Sequence, residues 1–348
     1  MSWRRPVLTV INSAGDNIMP KLGGLWSSVS VVDKAGGESD GATIVCIGPP
    51  ALVMPPERGE IFEIAMGWAD EGEPVLQGRF SFQKPRLGGD PSSGESMFLQ
   101  FRSADFVEKL KRTKRKGYDD KTYGEIMEDI GKEAGLPVQV DPELGKIKLG
   151  FRLLWDQSLI DFASELSEEV GGTVKPAGGK LIAMKRGGGS SASGKALETI
   201  VIRRSECGPY TVEIDPRPET GKVAAAYHDE KSGRRKHVKK SSGRDGPTTI
   251  LPHPYRTEAE AGLAAEAACY DRVNASGSGT FDIPGMPRAW AEAPCMVEGF
   301  GQLIDGSWKA DTVTKTVTAM KGFRTEVAVS AGKDQKGKGG GKKGARKR

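Results

Sequence analysis

Two long stretches of this chain, residues 1–102 and 195–330, carry apolar residues at every second position in short runs cut by glycine and proline. Leu76, Gly78, Phe80 and Phe82 alternate with Gln77, Arg79 and Ser81, and Met97, Leu99 and Phe101 alternate with Phe98, Gln100 and Arg102. A period of two makes half-buried strands. Breakers follow at strand-length spacing: Asp33–Gly41, Gly48–Gly59 with Pro49, Pro50, Pro55 and Pro56, and Gly88–Gly94. With 47 glycines and 21 prolines in 348 residues, helices cannot dominate, so an all-α fold is excluded and small antiparallel barrels or sandwiches are expected.

Between the two stretches the period changes. Thr122–Glu125 has the spacing of a capping box, and Tyr123, Ile126, Met127, Ile130 and Ala134 follow on one helical face that ends at Gly135. Ser158–Asp161 repeats the device, with Leu159, Phe162, Ala163, Leu166 and Val170 at the same offsets before Gly171 and Gly172. The outward positions are acidic: Glu125, Glu128, Asp129 and Glu133, then Asp161, Glu165, Glu168 and Glu169. Without a nearby histidine these read as solvated faces and not as catalytic pairs. The basic run Lys109, Lys111, Arg112, Lys114, Arg115 and Lys116 reads as a solvated or acid-paired face, since only Tyr118 stands near it to stack on a base.

Residues 187–194 have linker composition and lack the Gly-Lys-Ser/Thr ending of a phosphate loop. Strand alternation then resumes at Thr199–Arg203, Thr211–Ile214 and Val223–Tyr227. Lys231–Arg244 holds seven basic residues and no acid, which suits a long mobile hairpin tip. Thr257–Glu260 opens a third capped helix, rich in alanine, to about Val273. Met296–Phe300, Trp308–Thr318 and Phe323–Val329 close the fold as strands, and strict alternation puts Trp308, Ala310, Thr312, Thr314, Thr316 and Thr318 on one face. That threonine-rich face is expected to meet solvent, a lumen or another chain.

The formal charge is +5, but Lys333–Arg348 holds eight basic residues against Asp334 alone, or +7, which leaves about −2 for the rest. Cys46, Cys207, Cys269 and Cys295 are scattered, as small buried hydrophobes of a reducing cytoplasm would be, and with only His228, His237 and His253 no zinc spacing arises. No apolar run approaches the roughly 20 residues of a membrane helix, and Met1–Asn12 does not read as a secretion signal. No Ser/His/Asp order or HExxH motif is present, so neither a catalytic site, a metal nor a cofactor is expected.

The order of motifs resembles the phage late control protein D family, the baseplate hub of contractile tails, related to the base of type VI secretion spike proteins. The residues that carry the resemblance are Asp33–Asp40, Gly78–Phe80, Ser103–Phe106, Thr122–Ile126 with Gly135 and Leu136, and Trp155–Leu166 with Gly171 and Gly172. Tyr255, Ile283–Pro287, Val297–Phe300, Gly306–Trp308 and Gly322–Thr325 continue it in the family's order. The chain departs from the pattern within Trp155–Leu166, where an acid and a serine usually stand, and it has Lys315 after Val313 and Thr314 where a histidine is frequent.

The resemblance implies a mainly β fold with α+β segments: two similar small β-barrel tube domains, 1–102 and 195–330, and a helix-containing middle domain, 103–186, with a basic tail from 331. It implies a homotrimer whose pseudo-sixfold ring adapts a hexameric tail tube protein to a trimeric tail spike protein in the virion baseplate. It further implies contacts with the tape measure and other baseplate proteins, a lumen through which DNA passes without specific binding, assembly in the host cytoplasm, no enzyme activity and no stable membrane insertion. A phage-derived injection device is the alternative setting. A nucleic-acid-binding protein is the alternative class, and nonspecific anion contacts would fall on Arg234, Arg235, Lys236, Lys342, Lys343, Arg346, Lys347 and Arg348.

Overall fold

Twenty strands and five helices make up the computed structural model over its described residues, 4–49, 52–92, 94–103, 108–177, 179–185, 197–214, 220–243, 246–274 and 276–331. The chain opens with β1 (Pro6–Asn12), the short α1 (Met19–Leu22), β2 (Trp26–Lys34), β3 (Gly41–Ile47), β4 (Ile61–Trp68), β5 (Val75–Asp90) and β6 (Gly94–Ser103). The middle part holds β7 (Thr113–Tyr118), α2 (Tyr123–Ala134), β8 (Val138–Val140), α3 (Pro142–Gly145), β9 (Arg152–Ser158), α4 (Leu159–Glu169), β10 (Gly172–Ala177) and β11 (Lys180–Lys185). Then come β12 (Ile200–Arg203), β13 (Tyr210–Ile214), β14 (Lys222–Asp229), β15 (Arg234–Ser241), β16 (Thr248–Ile250), α5 (Glu258–Asn274), β17 (Gly277–Pro284), β18 (Pro294–Glu298), β19 (Gly306–Thr318) and β20 (Gly322–Ala331).

The two β-rich stretches share one sheet of 12 strands, ordered β1-β4-β5-β6-β3-β2-β19-β20-β17-β13, with β18 on β19 and β12 on β18. The seam is β2 against β19, running from Thr312 opposite Lys34 to Thr318 opposite Ser28. The sheet covers two separate cores. One gathers Val10, Ile44, Phe62, Ile64, Phe80 and Leu99 with Val317 and Phe323 from the last hairpin. The other gathers Ile202, Phe281, Trp308, Val313, Val327 and Val329. The β19–β20 hairpin therefore serves both cores, its tip end the first and its open end the second.

The helical middle has its own core. Thr122 completes a capping box with Glu125, Ser158 accepts from the Asp161 amide, and both apolar faces are buried. The basic run is paired with the acidic helix face beside it: Lys114 with Glu133, Lys116 with Asp129 at 2.5 Å and with Glu133 at 3.2 Å. Arg115 forms two 2.7 Å bonds to Asp156.

A fourth core was not expected. Residues 222–274, placed by sequence within the second barrel, form a unit of their own in which α5 packs on the sheet β15-β14-β16 through Val223, Ala225, Tyr227, Ala261, Ala265 and Cys269. This unit lies between β13 and β17, which pair directly with each other. The expected linker 187–194 lies outside the described residues.

Of the β-bulges in the described strands, two bear on the place where the parts of the chain meet. In β5, Ile64 and Ala65 of β4 face Gly78 and Leu76, so Gln77 is the extra residue. It turns inward to 8% exposure while Leu76 is left 51% exposed. In β19, Ala310 and Thr312 pair with Val329 and Ala328, so Asp311 is extra. Strict alternation is thereby overturned: Trp308 and Ala310 are buried, and after the bulge Val313, Lys315 and Val317 are buried while the threonines lie on the opposite side.

Candidate functional site

Both bulges converge on the place where the parts meet. Lys315, 1% exposed, directs its ammonium to Gln77 Oε1 at 2.5 Å and sits 3.6 Å from the ring centre of Trp290. Gln77 is fixed by its amide, which donates to the carbonyls of Val75 at 2.8 Å and Pro287 at 3.1 Å. The second site of contact is Lys175 on β10, which donates to Asp33 at 3.0 Å, to Asp40 at 2.6 Å and to the Lys34 carbonyl at 2.8 Å. Asp33 also accepts the Ala291 amide at 2.8 Å. The first β stretch, the middle and the last third are thus tied through a few side chains beside a cavity of about 310 Å³.

The sequence explains this gathering locally. Asp33–Asp40 is the turn from β2 to β3, and Asp40 accepts the Lys34 amide at 3.0 Å, which closes the turn and brings both carboxylates to one side. Ile283–Pro287 is fitted as tightly. A side chain at Gly285 would enter the Phe323 ring, its Cβ 2.2 Å from the ring, and the Gly285 carbonyl accepts Trp68 Nε1 at 2.8 Å. Only glycine permits that approach.

Charge in this junction is strained by burial. Desolvation pulls the Lys315 ammonium down to about 7, and the more distant Asp33 and Asp40 only partly resist. Desolvation and then repulsion by Asp33 push Asp40 up to about 6, against the pull of Lys175. Burial also works against the Lys175 charge, but two carboxylates outweigh it and leave its pKa raised. One cation cannot satisfy two buried anions, so Asp40 takes up its proton early.

The basic segment is built differently from its sequence reading. Residues 234–241 form the edge strand β15, and only the turn before it is a tip. Arg234 and Arg235 are exposed, while Lys236 pairs with Asp229 at 2.5 Å. Lysines and arginines on an edge strand also discourage further pairing. His228 and His237 lie on strands β14 and β15, not in loops. Lys342, Lys343, Arg346, Lys347 and Arg348 lie outside the described residues. Among the described residues no group of three His, Cys, Asp or Glu could hold a metal, the four cysteines are buried and free, and no helix is long and apolar enough to cross a membrane.

No protein-family model matches the chain. Two curated proteins do. One, named as the probable baseplate hub protein of Escherichia phage P2, is 28% identical, the alignment covering 86% of this chain and 87% of that protein. Over most of its length the chain is thus similar to a protein named as a phage baseplate hub. The second, of the same name from Escherichia phage 186, is 27% identical over 86% of each chain. Among solved structures the fold matches the 43 kDa tail protein of prophage MuSo2 from Shewanella oneidensis, with a TM-score of 0.68 at 13% identity, covering 94% of this chain and 98% of that one. It also matches a tail protein of Neisseria meningitidis MC58, with a TM-score of 0.65 at 14% identity over 94% and 96%. The E. coli c3393 protein, a type VI secretion component, follows with a TM-score of 0.53 at 9% identity over 87% and 73%. The resemblance to the late control D hubs and the mainly β architecture are both borne out by these matches.

Proposed function

We propose that this chain works as a baseplate hub, a trimeric adaptor without enzymatic chemistry, three subunits placing six barrel units in a ring between a sixfold tail tube and a threefold spike. The observation that carries the reading is the shared β19–β20 hairpin, which locks two sheet-wrapped cores into one subunit. Two like units per chain multiplied by three chains give the six positions a hexameric tube needs. Residues 1–102 and 195–330, less the 222–274 unit, supply the ring, and residues 103–186 brace it from the side through Lys175. The ring's lumen passes DNA, for which a near-neutral body is suited, because a wall of free lysines would hold phosphate through counterion release.

The spike, the tube protein, the tape measure and other baseplate proteins are the partners of this adaptor, which assembles in the host cytoplasm. The test is the mass of the purified chain with and without a co-expressed spike, together with electron micrographs of particles. A trimer or a threefold ring at the tail tip is expected. A strict monomer in both preparations, with no ring in particles, would overturn the reading. Nucleic-acid binding as the main role would instead show as sequence-specific affinity at physiological salt that survives removal of residues 333–348.

A further inference from the structure

Two exposed apolar groups on the described surface lie on different parts of the chain and carry opposite charge. The first is on the two-stranded ribbon β7–β9. Phe151, Leu153 and Trp155 alternate outward at 53%, 46% and 57% exposure, whereas Leu154 between them is fully buried. Gly117 lies opposite Leu153 and is covered by the Phe151 ring, 3.4 Å from where a Cβ would stand, and the Arg115 guanidinium sits over Trp155, 4.4 Å from the ring centre, held there by Asp156. An aromatic ring stacked with a fixed arginine is the composition of an interface hot spot, ordered before any partner arrives. Lys111 and Arg112, which lead into the ribbon, are exposed and have no ion-pair partner among the described residues.

The second group is at one end of the first barrel, where the β5–β6 hairpin extends past the sheet. Leu87, 56% exposed, shares one face of the hairpin with Glu95, whereas Ile47, 49% exposed, stands on the opposite face, and Leu52, 60% exposed, lies in the segment after β3. The Gly48 amide donates to the Glu95 carbonyl at 2.9 Å, so the end of β3 and the hairpin move as one piece. Glu95 and Asp90 are exposed there, and the hairpin's own Arg86 is turned onto the Phe98 ring at 4.8 Å. This end presents apolar surface with an acidic rim.

We propose that the hairpin end of one copy seats on the β7–β9 ribbon of a second copy, a head-to-tail contact between neighbouring subunits. The occupant is a second copy because each patch supplies what the other lacks: bulky apolar groups on both sides, free cations on one and carboxylates on the other. A two-fold contact of either patch with itself would set like charges together. A heterologous contact instead repeats around a closed ring. The inference rests on the trimeric reading and names the surfaces that would join it.

The experiment mixes two full-length variants, Leu87→Cys and Leu153→Cys, under mild oxidation; the native cysteines are buried and contribute little background. Disulfide-linked dimers are expected in the mixture and not with either variant alone. Links in either single variant, or none in the mixture, would overturn the proposal. A second arm exchanges charge. Arg112→Glu is expected to raise the concentration for half-assembly at least fivefold, and adding Glu95→Arg to the same chain to restore it, since every contact of the ring then carries the exchanged pair; no restoration counts against the contact. If particles show a ring of this chain joined through other surfaces, the contact fails and the hub reading stands. A chain that is monomeric everywhere sinks both.

Discussion

The helical middle and the junction use the same ion pairs in opposite ways. On the middle's surface, Lys116 reaches Asp129 and Glu133 with 38% of its side chain in solvent. At the junction, Lys175 reaches Asp33 and Asp40 with 17% exposed, and Lys315 has almost no exposure at all. In water the loss of hydration on pairing is small and the gain is equally small. In the junction each charge has given up its solvent, so removing a partner leaves an uncompensated ion while removing the ion itself can be favourable. The middle's pairs therefore decorate a fold that its capped helices already hold. The junction's pairs decide whether three parts of the chain stay together.

Substituting the cation that faces two carboxylates should give the largest effect. Lys175→Met is expected to cost about 3–5 kcal/mol at pH 7, because Asp33 and Asp40 then confront each other without a counter-charge. Urea unfolding checks the size, and the loss should shrink as pH falls towards 6, because without Lys175 the Asp40 carboxyl takes up its proton above the value of about 6 that it has in the intact junction. A loss independent of pH would mean that Lys175 acts by packing alone.

Lys315→Met should change stability with the opposite sign. The ammonium's folded pKa lies near 7, below its ordinary 10.5, so the folded state is penalised in full below pH 7 and regains stability as pH climbs from 7 towards 10.5. Removing the charge is expected to stabilise the protein by about 2 kcal/mol at pH 7, reduced from a larger gain because Gln77 Oε1 loses its donor. At pH 9.5 the advantage should have largely gone. A destabilised variant at both pH values would show that the Gln77 bond and the Trp290 contact outweigh desolvation.

What the sequence disclosed follows the range of the interactions. The helix caps at Thr122 and Ser158 and the buried faces behind them rest on neighbours within a few residues, and those were legible. The pairing of the basic run with the acidic helix face was legible as chemistry, though its geometry was not. The bulges at Gln77 and Asp311 were hidden, because one extra residue inverts every later inward position and leaves no compositional trace. Lys315 was hidden with them, although its phase gave a clue: it stands between Val313 and Val317 on an otherwise apolar face. The unit at 222–274 was missed because β13 and β17, which bracket it, pair across more than sixty residues, a closure that no local pattern marks.

The smallest expected effect bears on the other half of the contrast. Lys116→Ala breaks both of that residue's carboxylate contacts at once, yet is expected to cost only about 0.5 kcal/mol, because Glu133 keeps Lys114 as its partner and Asp129, a third exposed, keeps its 2.8 Å bond from Tyr118. Raising the salt to about 0.5 M should erase most of the difference, since a Debye length of only a few ångströms screens exposed charges and leaves buried ones nearly untouched. The same salt titration on Lys175→Met should move its deficit little. A salt-insensitive loss of about 2 kcal/mol or more for Lys116→Ala would place the middle's surface in the junction's class and remove the distinction between them.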